Sequence, residues 1–353
     1  MSKTISFLLF FFIGNIIFAQ IDFSETHLKT MPLLTTMDSL VKDGKYENIT
    51  SILIAKDGKL LFENYYNDND RSSKHNTRSA TKSIATLLTG IAIDKGFIKS
   101  ENDKIFDYLK HKMPVEHPDP RKAEITIEDL LTMSSILECD DNNSFSRGNE
   151  ERMYIIEDWA KFFVDLPIRS YPFGPKPEEM PYGRSMSYCS AGAAALAEIV
   201  QTAIGSSAEE FLKENLFKPL EIQNYKPHYT PTGTLNTAGG SEYQSRDFLK
   251  LIQLCLQKGT WNGQNIISKE WVEKATTPKA NAWEGMDYGY LFWLRKYDRA
   301  KCFAMAGNGG NKIMAFPELG VTVVLTSTNY NNRNAHNYTD ELLEKYIIPA
   351  MKL

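Results

Sequence analysis

Apolar and polar positions alternate over short stretches near the two ends of the chain. Ser51–Ala55 and Lys59–Tyr65 are apolar or β-branched runs joined by a Lys-Asp-Gly sequence, which predicts a β-hairpin. Near the C-terminus, glycine and proline separate further apolar and aromatic runs, and this pattern predicts consecutive antiparallel strands. Those runs are Tyr288–Arg295, Cys302–Ala306, Lys312–Phe316 and Val321–Thr326.

Helical signals fill the middle of the chain and also occur near each end. Predicted helices cover residues 27–43, Thr81–Lys95, a segment from Ser190 to Gly205, a segment from Ser245 to Gly259, and Tyr338–Met351. Because strands lie at both ends and helices lie between them, we predict an α+β fold. Its antiparallel sheet would come from residues 20–80 and 285–353. A mainly helical region, residues 81–284, would be inserted between these two parts of one domain.

The first 19 residues differ in character from the rest. Lys3 precedes a run from Ile5 to Phe18 that is almost wholly apolar, and Ala19 is followed by polar sequence. A basic start, a short apolar run and a small residue are typical of a secretory signal peptide. The run is shorter than the roughly 20 residues that span a bilayer. We therefore expect residues 1–19 to be removed, and residues 20–353 to be exported without a membrane span to the periplasm or the medium.

Charge and composition exclude several classes of function. The chain of 353 residues has 44 acidic and 40 basic side chains, and no block of basic residues that would indicate a nucleic-acid-binding surface. An apolar content of 42% is ordinary for a globular protein. No His-Glu-x-x-His motif or phosphate-binding loop occurs. We predict that the protein uses no metal and no cofactor. We expect its substrate to be a small molecule or a peptide.

A serine and a lysine at the start of the second predicted helix are the most informative candidates. Ser79 and Lys82 are three residues apart, so they share one face of a helix, where an amine can take the proton of a hydroxyl nucleophile. Ser-x-x-Lys occurs by chance about once or twice in a chain of this length. A second copy, Ser39 and Lys42, lies inside the first predicted helix, and we interpret it as structural. An N-cap serine is the alternative interpretation of Ser79.

Two later segments favour the chemical interpretation. Tyr188-Cys189-Ser190 precedes an alanine-rich helix, and the glycine-rich segment Gly307–Asn311 separates two predicted strands. Glycine at such a position permits close approach of the backbone to a ligand.

Taken in order, these three motifs resemble those of the penicillin-recognising serine hydrolases. The similarity is greatest to class C β-lactamases, D-alanyl peptidases, and the related esterases and nylon-oligomer hydrolases. Further segments that resemble family sequences extend over most of the mature chain: Ile125–Ser135, Gly259–Gly263, Ile267–Val272 and Tyr288–Trp293.

The resemblance implies a role for each candidate residue. Ser79 would be the nucleophile of an acyl-enzyme, Lys82 its proton acceptor, and Tyr188 the base that activates water. Ser190 would donate a hydrogen bond to Lys82. The glycine-rich segment would supply the substrate-binding backbone through Asn308, Gly309, Gly310 and Asn311, with the N–H groups of Ser79 and Asn311 forming the oxyanion hole.

Two departures from the family pattern bear on the substrate. Ser190 stands where asparagine is common, and the neutral Asn308 stands where lysine or histidine is common. Both changes weaken the case for substrates that carry a carboxylate, and ester or amide hydrolysis stays open. The alternatives are a β-lactamase or D-alanyl carboxypeptidase, and a non-catalytic binding module with the same fold.

The four cysteines allow three full pairings, among which the sequence does not decide. Export permits disulfides. Cys255 and Cys302 lie in apolar runs typical of buried thiols. Cys139 and Cys189 lie beside site segments, so a bridge between them is the pairing we consider.

Overall fold

The computed structural model describes residues 21–23, 31–171 and 175–352. The predicted signal peptide and the start of the predicted 27–43 helix lie outside the described residues. Within them, the strands in chain order, β1 to β12, are Ile49–Lys56, Lys59–Tyr65, Lys74–Asn76, Glu242–Gln244, Thr260–Trp261, Gln264–Asn265, Ala280–Trp283, Met286–Tyr288, Trp293–Tyr297, Ala300–Gly307, Asn311–Phe316 and Val321–Ser327.

Eight of the described strands form one antiparallel sheet in the order β2-β1-β12-β11-β10-β9-β8-β7. The N-terminal hairpin therefore pairs with the last strand of the chain, with Leu53 opposite Val324. This confirms the predicted α+β class and the predicted contribution of both chain ends to the sheet. The sheet begins slightly earlier than expected at its C-terminal part, because β7 starts at Ala280.

Helices cover both faces of the sheet. In chain order, α1 to α12 are Pro32–Lys42, Lys82–Asp94, Ile105–Tyr108, Ile127–Leu131, Glu150–Met153, Trp159–Asp165, Ser190–Ile204, Ala208–Leu212, Ser245–Leu256, Lys269–Ala275, Ala335–Leu342 and Ile348–Lys352. A π-helical turn, Leu343–Ile347, joins α11 to α12. None of the described helices is long and apolar enough to cross a bilayer.

The sheet separates two hydrophobic cores. Side chains of a strand alternate between its faces, and Leu53 and Ala55 of β1 accordingly join the core that contains α2 and α7. Ile52 and Ile54 join the opposite core, which is closed by α1 and the C-terminal helices. The near-continuous apolar sequence of this strand follows from burial on both faces.

Local signals fix the helix that follows the second motif. Gly205 adopts a left-handed conformation, φ +69°, and ends α7 as the sequence predicts. Thr126 and Asp129 form the predicted capping box at the start of α4. These elements therefore begin and end where local sequence chemistry places them.

One predicted strand is wrong in its extent. The run Tyr288–Arg295 is divided between β8 and β9, with a turn between them. A Cβ atom at Gly289 would lie 2.1 Å from the carbonyl oxygen of Ala275, so the backbone packs directly on α10 here. Leu291 has φ +54°, which a continuous strand does not allow. Packing against a distant helix divides a run that looks uniform in sequence.

Candidate active site

A 3₁₀ turn, Arg78–Thr81, holds Ser79 immediately before α2. Arg78 has φ +55°, an uncommon conformation for a residue with a side chain. Its guanidinium carbon lies 4.2 Å from the ring centroid of Tyr330, whose hydroxyl donates to the backbone of Asn76. The strained turn is thus held from both sides, and Ser79 is half-buried at its tip.

Lys82 lies in the first turn of α2, directly behind Ser79. Its Nζ is 2.9 Å from Ser79 Oγ and 2.6 Å from the carbonyl oxygen of Ala238. Only 1% of Lys82 is exposed, which keeps bulk water away from the amine. The hydroxyl and the amine are within hydrogen-bond distance, the first geometric requirement for proton transfer between them.

Tyr188 reaches the same place from the start of α7. The Nζ of Lys82 lies 5.2 Å from its ring centroid, within the range of a cation–π contact. The ring also stacks on Trp293, with centroids 5.7 Å apart and 22° between the planes. The structure therefore brings Tyr188 to Ser79 and Lys82, from which it is separated by more than 100 residues in sequence.

The glycine-rich segment contributes to the site through the predicted residue Asn308 and also through Gly307, which was not among the predicted site residues. Gly307, the last residue of β10, packs on the turn that holds Ser79: a Cβ there would lie 1.9 Å from the carbonyl oxygen of Thr77 and 3.1 Å from the amide nitrogen of Ser79. Strand β9 pairs with β10 only from Ala300 to Ala304. Within the described pairings, the end of β10 beside Ser79 is therefore open on that side.

Of the four predicted residues in this turn, Asn308 alone lines the cavity beside Ser79. Gly310 packs on the C-terminal helix, where a Cβ would lie 2.3 Å from the carbonyl oxygen of Ala335, and Gly309 packs near Tyr330. Asn311 is fully buried, and its amide donates to Asn308 and to Ser327. Gly309, Gly310 and Asn311 therefore shape the turn between β10 and β11 and do not border the cavity.

Ser190 does not make the hydrogen bond that was expected of it. Its hydroxyl donates to Glu150 Oε2 at 2.9 Å, and its backbone N–H donates to Asp141 Oδ2 at 2.8 Å. The loop after Cys139 places these carboxylates at the start of α7, where backbone N–H groups favour acceptors. Asp141 and Glu150, which we did not predict, both line the cavity.

Asp141 has an altered acidity. Burial raises the pKa of its carboxyl to about 6, and the charge of Lys82 and the hydrogen bonds from Ser190 oppose that shift. The charge of Lys82 thus acts on a carboxyl that borders the same cavity as Ser79. A perturbed carboxyl in a cleft is a feature typical of functional sites.

A cavity of about 470 Å³ lies beside these elements. It is bordered by Ser79, Tyr188, Asn308, Asp141 and Glu150. Trp283, Met286 and Trp293 form an aromatic and apolar wall, while Arg295 and Lys312 add charge on the adjoining part of the sheet. The volume suits a small molecule or the end of a peptide. The described residues contain no group of three or more metal-ligating side chains placed to hold an ion.

Comparison with known families agrees with this arrangement. The model of the beta-lactamase family matches residues 39–345, which is most of the chain. The chain belongs to the beta-lactamase family. None of the curated proteins compared with it matches.

Solved structures of this beta-lactamase fold are similar to the chain at low sequence identity. A penicillin-binding protein homologue from Pyrococcus abyssi has 18% identity and a TM-score of 0.66, covering 88% of this chain and 76% of its own. A penicillin-binding protein homologue from Caulobacter crescentus has 15% identity and a TM-score of 0.67, covering 90% and 96%. EstCE1, a hydrolase with promiscuous acyltransferase activity, has 13% identity and a TM-score of 0.68, covering 88% and 97%.

In this beta-lactamase-family protein, a disulfide lies beside the site. Cys139 and Cys189 are bonded, which confirms the pairing considered from sequence, whereas Cys255 and Cys302 are free and buried. Cys189 stands between Tyr188 and Ser190, so the bridge ties the second motif to the loop that carries Asp141. It fixes the position of the carboxylates relative to the tyrosine.

Sequence reasoning missed several residues of this beta-lactamase-family site. Asp141 lies in a polar loop whose local signal is the neighbouring Cys139, and Glu150 begins the short helix α5 after that loop. Trp283, Arg295 and Lys312 lie on strands where aromatic and charged side chains are also expected at solvent-facing positions. Only the cavity itself distinguishes them from ordinary surface residues.

Proposed function

We propose that this protein is an exported serine hydrolase that cleaves an ester or an amide through an acyl-enzyme on Ser79. The 2.9 Å contact between Ser79 Oγ and Lys82 Nζ is the observation that supports this most directly. Family membership supports a hydrolase. The cavity that Ser79 borders provides room for a substrate.

The reaction would proceed in two halves. In the first half, Ser79 Oγ bonds to the substrate carbonyl carbon while its proton passes to Lys82. The bond to the leaving alcohol or amine then breaks, and that group departs with a proton delivered through Lys82 and Tyr188. In the second half, a water activated by Tyr188 attacks the acyl carbon. This releases the acid and restores the Ser79 hydroxyl.

Negative charge develops on the carbonyl oxygen in both halves and needs donors. We assign the first donor to the N–H group of Ser79 and the second to that of Asn308. Asn308 follows Gly307, whose backbone packs on the Ser79 turn, and it borders the cavity. This assignment differs from the expected Asn311 N–H, because Asn311 is fully buried and does not border the cavity.

Export is part of the proposal and has two supports. Residues 1–19 have the pattern of a signal peptide. The Cys139–Cys189 disulfide suits an oxidising compartment, where such bonds persist.

Covalent labelling tests the proposal. The protein is incubated with a fluorophosphonate, and its intact mass is measured beside its rate of hydrolysis of 4-nitrophenyl acetate. We expect one adduct on the wild type, none on Ser79→Ala, and one on Ser39→Ala. Absence of an adduct from folded wild-type protein, together with absence of hydrolysis, would replace the hydrolase with a non-catalytic binding module.

A further inference from the structure

Two cations line the cavity on the side away from α2. Lys312 of β11 is paired with Ala306 of β10, close to the nucleophile turn, and its side chain is only 5% exposed. Its Nζ donates to Asp340 at 2.5 Å, to Thr339 Oγ1 at 2.8 Å and to the carbonyl oxygen of His336 at 3.1 Å. The ammonium is therefore fixed in place by α11.

Arg295 of β9 lies over the Asp340 carboxylate, and only one nitrogen of its guanidinium contacts that carboxylate. Its central carbon is 4.2 Å from the ring centroid of Tyr297, and its Nη1 is 3.4 Å from each oxygen of Asp340. No hydrogen bond among the described residues uses its Nε or Nη2, and a quarter of the side chain is exposed. A planar donor edge is thus held by an aromatic ring and remains available to the cavity.

The charges of this cluster do not cancel. Burial lowers the pKa of Lys312 to about 8, with Asp340 opposing, so the ammonium is mostly charged at pH 7. Burial alone would raise the pKa of Asp340, but the charge and hydrogen bond of Lys312 hold that pKa below its ordinary value. Burial, together with the charge of Lys312, lowers the pKa of His336 to about 4, so the imidazole is neutral. Two cations therefore face one carboxylate, and Asp340 also accepts a hydrogen bond from the Tyr297 hydroxyl.

Asp141 and Glu150 border the same cavity but bond to Ser190 at the start of α7, so they are not partners of this cluster. Within the cluster of Arg295, Lys312 and Asp340, an excess positive charge that is partly buried is costly unless an anion from outside completes it. A guanidinium edge matches the two oxygens of a carboxylate in planar, bidentate geometry. We propose that Arg295, with Lys312 behind it, forms a subsite for a carboxylate of the substrate. Preferred substrates would then be esters or amides that carry an anionic carboxylate away from the scissile bond. This inference rests on the proposed hydrolase function.

The subsite changes the conclusion drawn from Asn308. That residue is neutral, which by sequence alone argues against anionic substrates. The structure supplies positive charge from the neighbouring strands β9 and β11 instead. Both cations border the same cavity as Ser79, so one molecule can contact the nucleophile and the guanidinium.

Two pairs of esters test the inference, because the carboxylate can belong to either half of the substrate. In the first pair the acyl group is charged or neutral: mono-4-nitrophenyl glutarate and 4-nitrophenyl valerate. In the second pair the leaving group is charged or neutral: 3-carboxyphenyl butyrate and phenyl butyrate. In at least one pair we expect the wild type to prefer the charged ester in kcat/KM by about 10-fold or more, the value of one charge-assisted hydrogen bond.

Arg295→Gln should lower kcat/KM for that charged ester by about 10- to 100-fold, mainly through KM, and change the neutral ester by less than about twofold. Arg295→Lys should restore part of the preference. Lys296→Gln removes the same charge from the next residue, which is exposed and does not border this cavity, and should leave both esters unchanged. Melting temperatures check that all variants are folded.

Equal loss on charged and neutral esters in Arg295→Gln, or no preference by the wild type in either pair, would overturn the subsite while leaving the hydrolase intact. Failure of the wild type to hydrolyse any ester or to react with the fluorophosphonate would instead overturn the hydrolase, and the subsite with it.

Discussion

The two Ser-x-x-Lys sequences of this chain are identical in spacing and differ in everything around them. In the interior of α1, the Ser39 hydroxyl donates to the carbonyl oxygen of Thr35 at 3.2 Å. Lys42 is 56% exposed and pairs with Asp38 at 2.7 Å, one helical turn away. The serine thus satisfies its own helix, and the lysine is an ordinary surface cation with a helical partner.

Ser79 and Lys82 have a different setting. Their hydrogen bond is to each other, the lysine is buried, and Tyr188 and Gly307 approach from distant parts of the chain. The spacing only ensures that two side chains share a helix face. Chemistry depends on the strained turn that presents the serine and on the surfaces that exclude water from the amine. The difference between the copies can be tested by making the same change in each.

Removal of the hydroxyl should have the largest effect. Ser79→Ala should reduce turnover of 4-nitrophenyl acetate by at least about 10⁴-fold, because no acyl-enzyme can form. Ser39→Ala should retain wild-type turnover. Initial rates of the two purified variants provide the comparison, and comparable activity in both would remove the distinction we draw.

Removal of the amine should come next. Lys82→Met keeps a long apolar side chain but cannot accept the Ser79 proton, so kcat should fall by about 10²- to 10⁴-fold. Lys42→Met loses only an exposed ion pair, worth at most about 1 kcal/mol, and should keep full kcat. A Lys82→Met enzyme with normal kcat would show that another group accepts the proton.

Steric crowding of the turn that holds Ser79 should have a smaller effect. Gly307→Ala places a methyl group against the backbone of Thr77 and Ser79 and should displace the serine, lowering kcat/KM by about 10²-fold. Gly44, just after α1, has open space beyond it, so Gly44→Ala should cost about 1 kcal/mol of stability through its positive φ and leave kcat/KM unchanged. Melting temperatures separate displacement from unfolding, and unchanged kinetics in a folded Gly307→Ala protein would contradict this packing argument.

The smallest expected effect concerns pH. The pKa of Asp141 is raised to about 6 by burial, so the folded protein takes up a proton there before the unfolded chain does. This contribution to stability is complete below about pH 4 and is lost as the pH rises through about 6. Between pH 7 and pH 4, the melting temperature of the wild type should therefore rise relative to that of Asp141→Asn.

Ser79→Ala removes no carboxyl and should keep the wild-type dependence on pH. Parallel curves for wild type and Asp141→Asn would place the perturbed carboxyl elsewhere; Asp247, whose pKa burial also raises to about 6, would then be the next candidate.

Most of the scaffold could be predicted from sequence, because the signals for it are local. Gly205 ends α7 through its left-handed backbone, and Thr126 with Asp129 starts α4, whatever surrounds them. Alternation and turn residues likewise indicated the hairpins that form the sheet. The motif order was sufficient to single out Ser79, Lys82 and Tyr188.

The surroundings of those three groups could not be predicted, because they depend on how distant elements pack. Ser190 bonds Glu150 rather than Lys82, and Asn308 rather than Asn311 borders the cavity beside Ser79. The carboxylate-binding role that we propose for Arg295 depends on β9 and β11 bordering the same cavity as Ser79. The physical reason is that hydrogen-bond partners, burial and net charge belong to pairs of residues in space. A sequence with local periodicity specifies the elements, but the distances between elements arise when their apolar faces pack together.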